Sequence, residues 1–181
     1  MIKVTRRAAA AAAAVLALGV GSATWATSAS AATAKPAAQP SFTPRCTSSD
    51  LAVWVNADSA NGAAGTIFYH LDLTNTSHRS CYLLGWPGVA ATTSTGHRLG
   101  LPARNSFNAP LRVVTVRPGA TAHALLGYVD VQVTPGCHPT NATFLKVTPP
   151  HTPSSRNAFF PLPVCQTHTV DLTIGRVQSG A

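Results

Sequence analysis

Four cysteines, Cys46, Cys81, Cys137 and Cys165, constrain this chain more than any other feature of it. They follow a stretch that reads as a cleavable export signal. An even cysteine count in an exported domain points to disulfides before metal ligands or a thiol nucleophile. Four cysteines allow three connectivities. We expect Cys46–Cys81 and Cys137–Cys165, because sequence-neighbouring pairs would each pin a loop to the body of the domain. In the chain-entropy picture, loops of about 30–36 residues would stabilise by about 3.5–4 kcal/mol each.

The export reading rests on the first 34 residues. Lys3, Arg6 and Arg7 form a positive start, and Ala8 to Val20 is an uninterrupted apolar run of 13 residues, too short for a spanning helix. Ala29-Ser30-Ala31 is a small-residue cleavage site, with a second at Ala32-Thr33-Ala34. The expected organisation is a signal peptide at 1–31, a disordered Pro-containing spacer at 32–45, one domain at 46–177 and a tail at 178–181. About 130 residues suffice for a single domain with a real core. No cysteine stands at the cleavage site, so no lipid anchor is expected, and no later stretch is apolar enough to cross a membrane. Thr5-Arg6-Arg7 lacks the bulky apolar pair of a twin-arginine signal, which favours general secretion. The expected location is extracellular, free or associated with the cell envelope.

Cleavage would remove three positive charges and lower the formal charge from +8 to +5. There is no Glu, and the acids are Asp50, Asp58, Asp72, Asp130 and Asp171. The basic residues are scattered singly, without the clusters or interleaved aromatics of a nucleic-acid groove, so no nucleic-acid partner is expected. Mild attraction to an anionic wall polymer or to phospholipid headgroups is physically reasonable.

Hydrophobic periodicity is that of strands. Ile67, Tyr69, Leu71 and Leu73 alternate with Phe68, His70, Asp72 and Thr74, the pattern of a half-buried antiparallel strand. Leu51, Val53 and Val55 alternate too, although Trp54 breaks the polar face. Further strands are expected at Cys81–Leu84, Gly88–Thr93, Leu111–Val116, Thr121–Val133, Thr143–Val147 and His168–Ile174. Turns are expected at Asn61-Gly62, Trp86-Pro87-Gly88, Thr95-Gly96, Pro118-Gly119 and Pro135-Gly136. Pro118-Gly119 has the residue order of a type II turn. Ser154–Pro163 is interrupted by proline and reads as a loop or an edge strand. Many short strands without a helical stripe predict an all-β, immunoglobulin-like antiparallel sandwich with two disulfides.

Most chemistry fails on residue pattern. Seven histidines (His70, His78, His97, His123, His138, His151 and His168) show no close ligand spacing, and each reads as a surface or loop residue, so no metal or cofactor is expected. Thr92 to Gly96 lacks the first glycine of a nucleophile elbow. Five scattered Asp do not suggest a glycosidase pair. His70 and Asp72 would share one strand face, the one suggestive pair. No catalytic residues are expected, and a hydrolase using that pair is the third reading.

The run Cys81-Tyr82-Leu83-Leu84-Gly85-Trp86-Pro87-Gly88-Val89 resembles the signature of an actinobacterial secreted family known as domain of unknown function 4232. Gly62-Ala63-Ala64-Gly65-Thr66, Leu73-Thr74-Asn75-Thr76-Ser77, Arg117-Pro118-Gly119 and the last two cysteines complete the order over 46–177. The resemblance implies export and association with the cell envelope, often by a lipid or membrane tether, for which neither a lipobox cysteine nor a spanning segment is expected in this chain. It implies no catalytic or ligand residues.

Trp86 is expected to cap the core beside a disulfide, with an exposed platform for a sugar or peptide as its alternative. Asn75-Thr76-Ser77 and Asn141-Ala142-Thr143 match glycosylation sequons but read as turn residues. The functional expectation is a non-catalytic binding module. Its contact surface would be Gly85–Gly100 with the Arg104–Pro110 loop, where Trp86, Arg98 and Arg104 meet an anionic wall polymer or an extracellular protein. A secreted protease inhibitor presenting Thr148–Pro163 is the runner-up.

Overall fold

Within residues 42–106, 110–166 and 171–180, which a computed structural model describes, alternating apolar residues build eleven strands and no α-helix. Among these residues no helix is long and apolar enough to cross a membrane. The expected signal and most of the spacer lie outside the described residues.

The strands are β1 (Leu51–Ala63), β2 (Thr66–Asn75), β3 (Cys81–Leu83), β4 (Gly88–Thr92), β5 (Arg104–Asn105) and β6 (Val114–Val116). They continue as β7 (Thr121–Val129), β8 (Pro139–Thr148), β9 (Arg156–Cys165), β10 (Leu172–Ile174) and β11 (Gln178–Ser179). The large sheet runs β1-β2-β7-β10-β5, with β11 also paired to β7. Facing it are the three-stranded β4-β8-β9 and the two-stranded β3-β6. Every strand pair is antiparallel except β10 with β5. The expected all-β sandwich is thus the observed fold.

Its interior has two compartments. Leu71, Leu126, Tyr128, Leu172 and Ile174 of the large sheet pack against Val89, Leu145, Val147, Leu162 and Val164 of β4-β8-β9. Leu51, Leu73 and Ala122 pack instead against Leu83, Val114 and Val116 of β3-β6. Val53 touches both clusters. Each compartment holds one disulfide, Cys46–Cys81 in the smaller and Cys137–Cys165 in the larger, which is the expected pairing.

Several boundaries differ from expectation. The β1–β2 turn falls at Ala64-Gly65 rather than Asn61-Gly62. Both turn residues have positive φ (48° and 81°), the requirement of a two-residue hairpin whose twist matches its strands. β1 reaches that far because Ala57–Ala60 bulge out opposite the single residue Tyr69, restoring the register at Asn61. The proline-interrupted segment forms β9, an edge strand, where missing N–H groups are tolerated. Residues read as tail supply β11, and the expected Thr121–Val133 strand stops at Val129, followed by a 3-10 turn. His168 lies outside the described residues. Pro118-Gly119 is a turn as expected: Gly119 has φ 75° and the Ala120 N–H donates to the Arg117 carbonyl at 3.0 Å.

Asn75, fully buried at the end of β2, ties these parts together. Its Nδ2 donates to the carbonyls of Arg79 (2.8 Å) and Val116 (2.9 Å). Its Oδ1 accepts from the N–H (2.9 Å) and hydroxyl (2.7 Å) of Ser77. The expectation of a turn is met at this sequon, whose amide protons are both occupied inside the fold, but not at Asn141-Ala142-Thr143, which lies within β8. Replacing Asn75 by Ala strands two carbonyls and a turn, and should lower the unfolding free energy by about 2–4 kcal/mol. Urea denaturation checks this; a loss below about 1 kcal/mol would contradict it.

Candidate functional site

Strand alternation sends Phe68, His70, Asp72 and Thr74 of β2 to the outward face of the large sheet, opposite Leu71 and Leu73. The register then adds neighbours distant in sequence. Trp54 on β1, Asp72 on β2, His123 on β7 and Gln178 on β11 stand directly across from one another. Asn56, His70 and Leu125 form the adjacent row. His70 and His123, diagonal to each other, stack with ring centroids 4.5 Å apart and planes 20° from parallel.

Trp54 remains 46% exposed, and its indole N–H reaches the Thr74 hydroxyl at 3.4 Å. Thr74 in turn shares a hydrogen bond with Thr121 at 2.9 Å. On the other side of Trp54 the backbone N–H of His70 leaves the sheet ladder and donates to Ser59 Oγ (2.7 Å), whose own hydroxyl donates to the Asn56 carbonyl (2.6 Å). The β1 bulge is therefore fixed against the site. In the next row the Phe68 ring and the Thr173 hydroxyl fill the space a side chain at position 127 would need, which leaves room only for Gly127.

Asp72 is only 7% exposed, yet among the described residues its carboxylate takes no hydrogen bond. Burial pushes its pKa above the ordinary carboxylate value, and the neighbouring His70 and His123 partly offset the rise. Burial likewise pushes His123 below its ordinary value, repulsion from His70 adds to the drop, and Asp72 opposes it. The cluster thus offers an unengaged acceptor, two imidazoles and an aromatic plate. Among the described residues no hydroxyl hydrogen-bonds either imidazole ring. No three His, Cys or Asp side chains among them are placed to hold a metal ion.

Of the residues expected at the contact surface, Trp86 and Arg98 sit elsewhere, and Arg104 lies farther across the same sheet. Trp86 is half-buried where the chain crosses from β3 to β4 through Gly85 (φ 105°). Its ring is covered by the Arg176 guanidinium, 4.1 Å from the centroid, and its indole N–H reaches the Ser106 carbonyl at 3.4 Å. The geometry is that of a cap joining three segments. Arg98 is exposed on the return arm of the β4 hairpin, and Arg104 is exposed on β5. Both lie on the flank where residues 97–106 cross between sheets, with Ala103 bonded to Val89 and Ser106 to Ile174. By register Arg104 shares the outward face with Thr173, Gly127 and Phe68. Residues 107–109 of the expected contact loop lie outside the described residues. Of the inhibitor segment, Arg156–Pro163 lies in β9, hydrogen-bonded to β8, and Arg156 Nε donates to the Ser48 carbonyl at 2.7 Å.

Reading every histidine as a surface or loop residue needs correction for His70 and His123, which are partly covered and stacked. The pairing of His70 with Asp72 was visible from alternation alone. His123 was not, because nothing local links it to β2, and Trp54 registered only as an apolar break in a polar face.

The pKa directions set a pH dependence. His123 titrates below its ordinary 6.5, so the unfolded chain binds its proton first and stability falls as pH drops through 6.5 toward the folded value. Asp72, raised above 3.8, acts oppositely: its penalty is present above its folded pKa and fades as pH falls toward 3.8. Urea midpoints should therefore decline between pH 7 and 5.5, and His123→Gln should flatten that decline. An unchanged slope in the variant would contradict the assignment.

No curated protein matches this chain. The family model described as Domain of unknown function (DUF4232) matches residues 46–178, from the first cysteine into the last strand. That span is most of the chain and all three sheets, and the protein belongs to the DUF4232 family.

Proposed function

We propose that the protein is a non-catalytic extracellular binding module that presents the outward face of its large sheet to a component of the cell envelope. One observation carries the reading. Asp72, a residue only 7% exposed, has among the described residues no protein hydrogen bond to its carboxylate, whose oxygens still reach solvent between an exposed tryptophan and a pair of stacked imidazoles. A partly desolvated carboxylate with no protein donor costs some stability, so a face serving only as scaffold gains nothing from it. A ligand that supplies donors recovers the cost on binding.

Two internal disulfides suit an oxidising compartment, in keeping with export. They also stiffen the sandwich, which lowers the ordering cost of binding. The exposed Arg98 and Arg104, on a mature chain of net charge +5, would add attraction toward anionic wall polymers without fixing specificity.

Retention of the disulfide-intact protein on isolated cell walls, and on immobilised extracellular proteins, at physiological ionic strength tests this. We expect retention on one support. Replacing Arg98 and Arg104 together by Ala should weaken retention about threefold to tenfold and reduce its salt sensitivity, as loss of steering charges does. Retention on neither support would contradict the reading. So would hydrolytic turnover that His70→Ala abolishes.

A further inference from the structure

We propose that Trp54, Asp72, His70 and His123 form a carbohydrate-binding site that takes one neutral sugar ring on the outward face of the large sheet. The proposal rests on the binding-module reading and names the ligand class of the same surface. Three features of the face point to sugar.

The first is the plate. Trp54 is the one large apolar side chain of this row, 46% exposed, and its indole N–H is tethered to Thr74 rather than left to rotate. A fixed aromatic ring beside polar groups matches a sugar, whose C–H face is apolar and whose rim is hydroxyl. Trp86, the other described tryptophan, is already covered by a guanidinium and offers no such plate.

The second is the acceptor. Asp72 stands directly across from Trp54 and has both carboxylate oxygens free of protein hydrogen bonds. A carboxylate receives two adjacent hydroxyls in a fork, and such charge-assisted bonds are the strong ones. The flanking imidazoles of His123 and His70 each carry one donor and one acceptor when neutral, which suits a hydroxyl able to play either part.

The third is the charge balance. An organic cation would also suit a carboxylate and an indole. However, the mature chain is net positive, and the nearest titratable neighbours of Asp72 are two imidazoles, which become competing cations when protonated. Hydroxyl donors suffer neither conflict. The row runs across three adjacent strands, β1, β2 and β7, which suits a sugar within an extended polymer as readily as a free oligosaccharide.

The test is binding of the full chain, disulfides intact, to immobilised chitotetraose, cellotetraose, maltotetraose and mannotetraose, and to oligosaccharides released from cell walls by mild acid. Trp54→Ala and Asp72→Asn are compared with wild type, and thermal unfolding is measured for each. We expect wild type to bind at least one probe and both variants to lose roughly tenfold or more in affinity. Asp72→Asn should keep or raise the melting temperature, because it removes a partly desolvated charge that no protein donor satisfies. That combination separates a ligand-contacting residue from a structural one. Displacement of the protein from intact walls by the soluble probe would show that the recognised sugar belongs to the wall polymer. Wild-type binding that both folded variants retain would place the site elsewhere and overturn the proposal. Binding to no probe would also overturn it. The broader reading would still stand if wall or protein retention persisted, and would fall with it if retention were absent as well.

Discussion

The side-chain amide of Asn75 is the junction on which the two-compartment architecture depends. Its four hydrogen-bonding positions are all used, two toward Ser77 and one each toward Arg79 and Val116. Its own backbone pairs with Ala120 and Gly119 across the turn that starts β7. One residue therefore fixes where β2 ends, how the chain turns toward β3, and where β6 stops. Asp50 extends the junction to the start of the domain. Its carboxylate accepts from the N–H (2.8 Å) and hydroxyl (2.6 Å) of Thr47, which hold its pKa below the ordinary value, while its carbonyl accepts from Thr76. A buried polar group so fully satisfied specifies one arrangement, because any slip of β3-β6 leaves several groups unpaired at once.

That junction keeps β3-β6 over the lower half of the large sheet, so that β4-β8-β9 covers the other half. With the inner face fully occupied, alternation fixes which residues turn outward. A one-residue slip of β2 would bury His70 and Asp72 and expose Leu71 and Leu73, so the hydrophobic cores themselves set the position of the candidate site. The β1 bulge and Gly127 refine it locally, the first by holding the His70 backbone and the second by making room for Phe68 and Thr173.

The sequence was informative where a signal was local. Alternation in Ile67–Thr74, the Pro118-Gly119 turn and the loop-or-edge character of the Pro-containing β9 were legible, because each depends on neighbouring residues. The expected cysteine pairing, by contrast, was one of three that the count left open, and only the fold selects it. The β1–β2 turn was misplaced because a bulge, set by contacts to β2, shifts it past Asn61-Gly62. The Gln178–Ser179 strand was missed because two residues carry no periodicity and pair only when β7 is present. The candidate site was half-legible for the same reason. His70 and Asp72 are two apart on one strand, whereas Trp54 and His123 join them only through long-range register.

Mapping the ligand surface directly tests the central claim that the outward face of the large sheet is the working surface. Backbone and indole amide shifts of the isotopically labelled protein, followed by nuclear magnetic resonance while solubilised cell-envelope material is added, report contact residue by residue. Shifts should concentrate at Trp54, His70, Asp72 and His123, including the Trp54 indole N–H, with Trp86 unmoved. Shifts confined to the Arg98 hairpin and the β5 edge, with the Trp54 face silent, would contradict the claim.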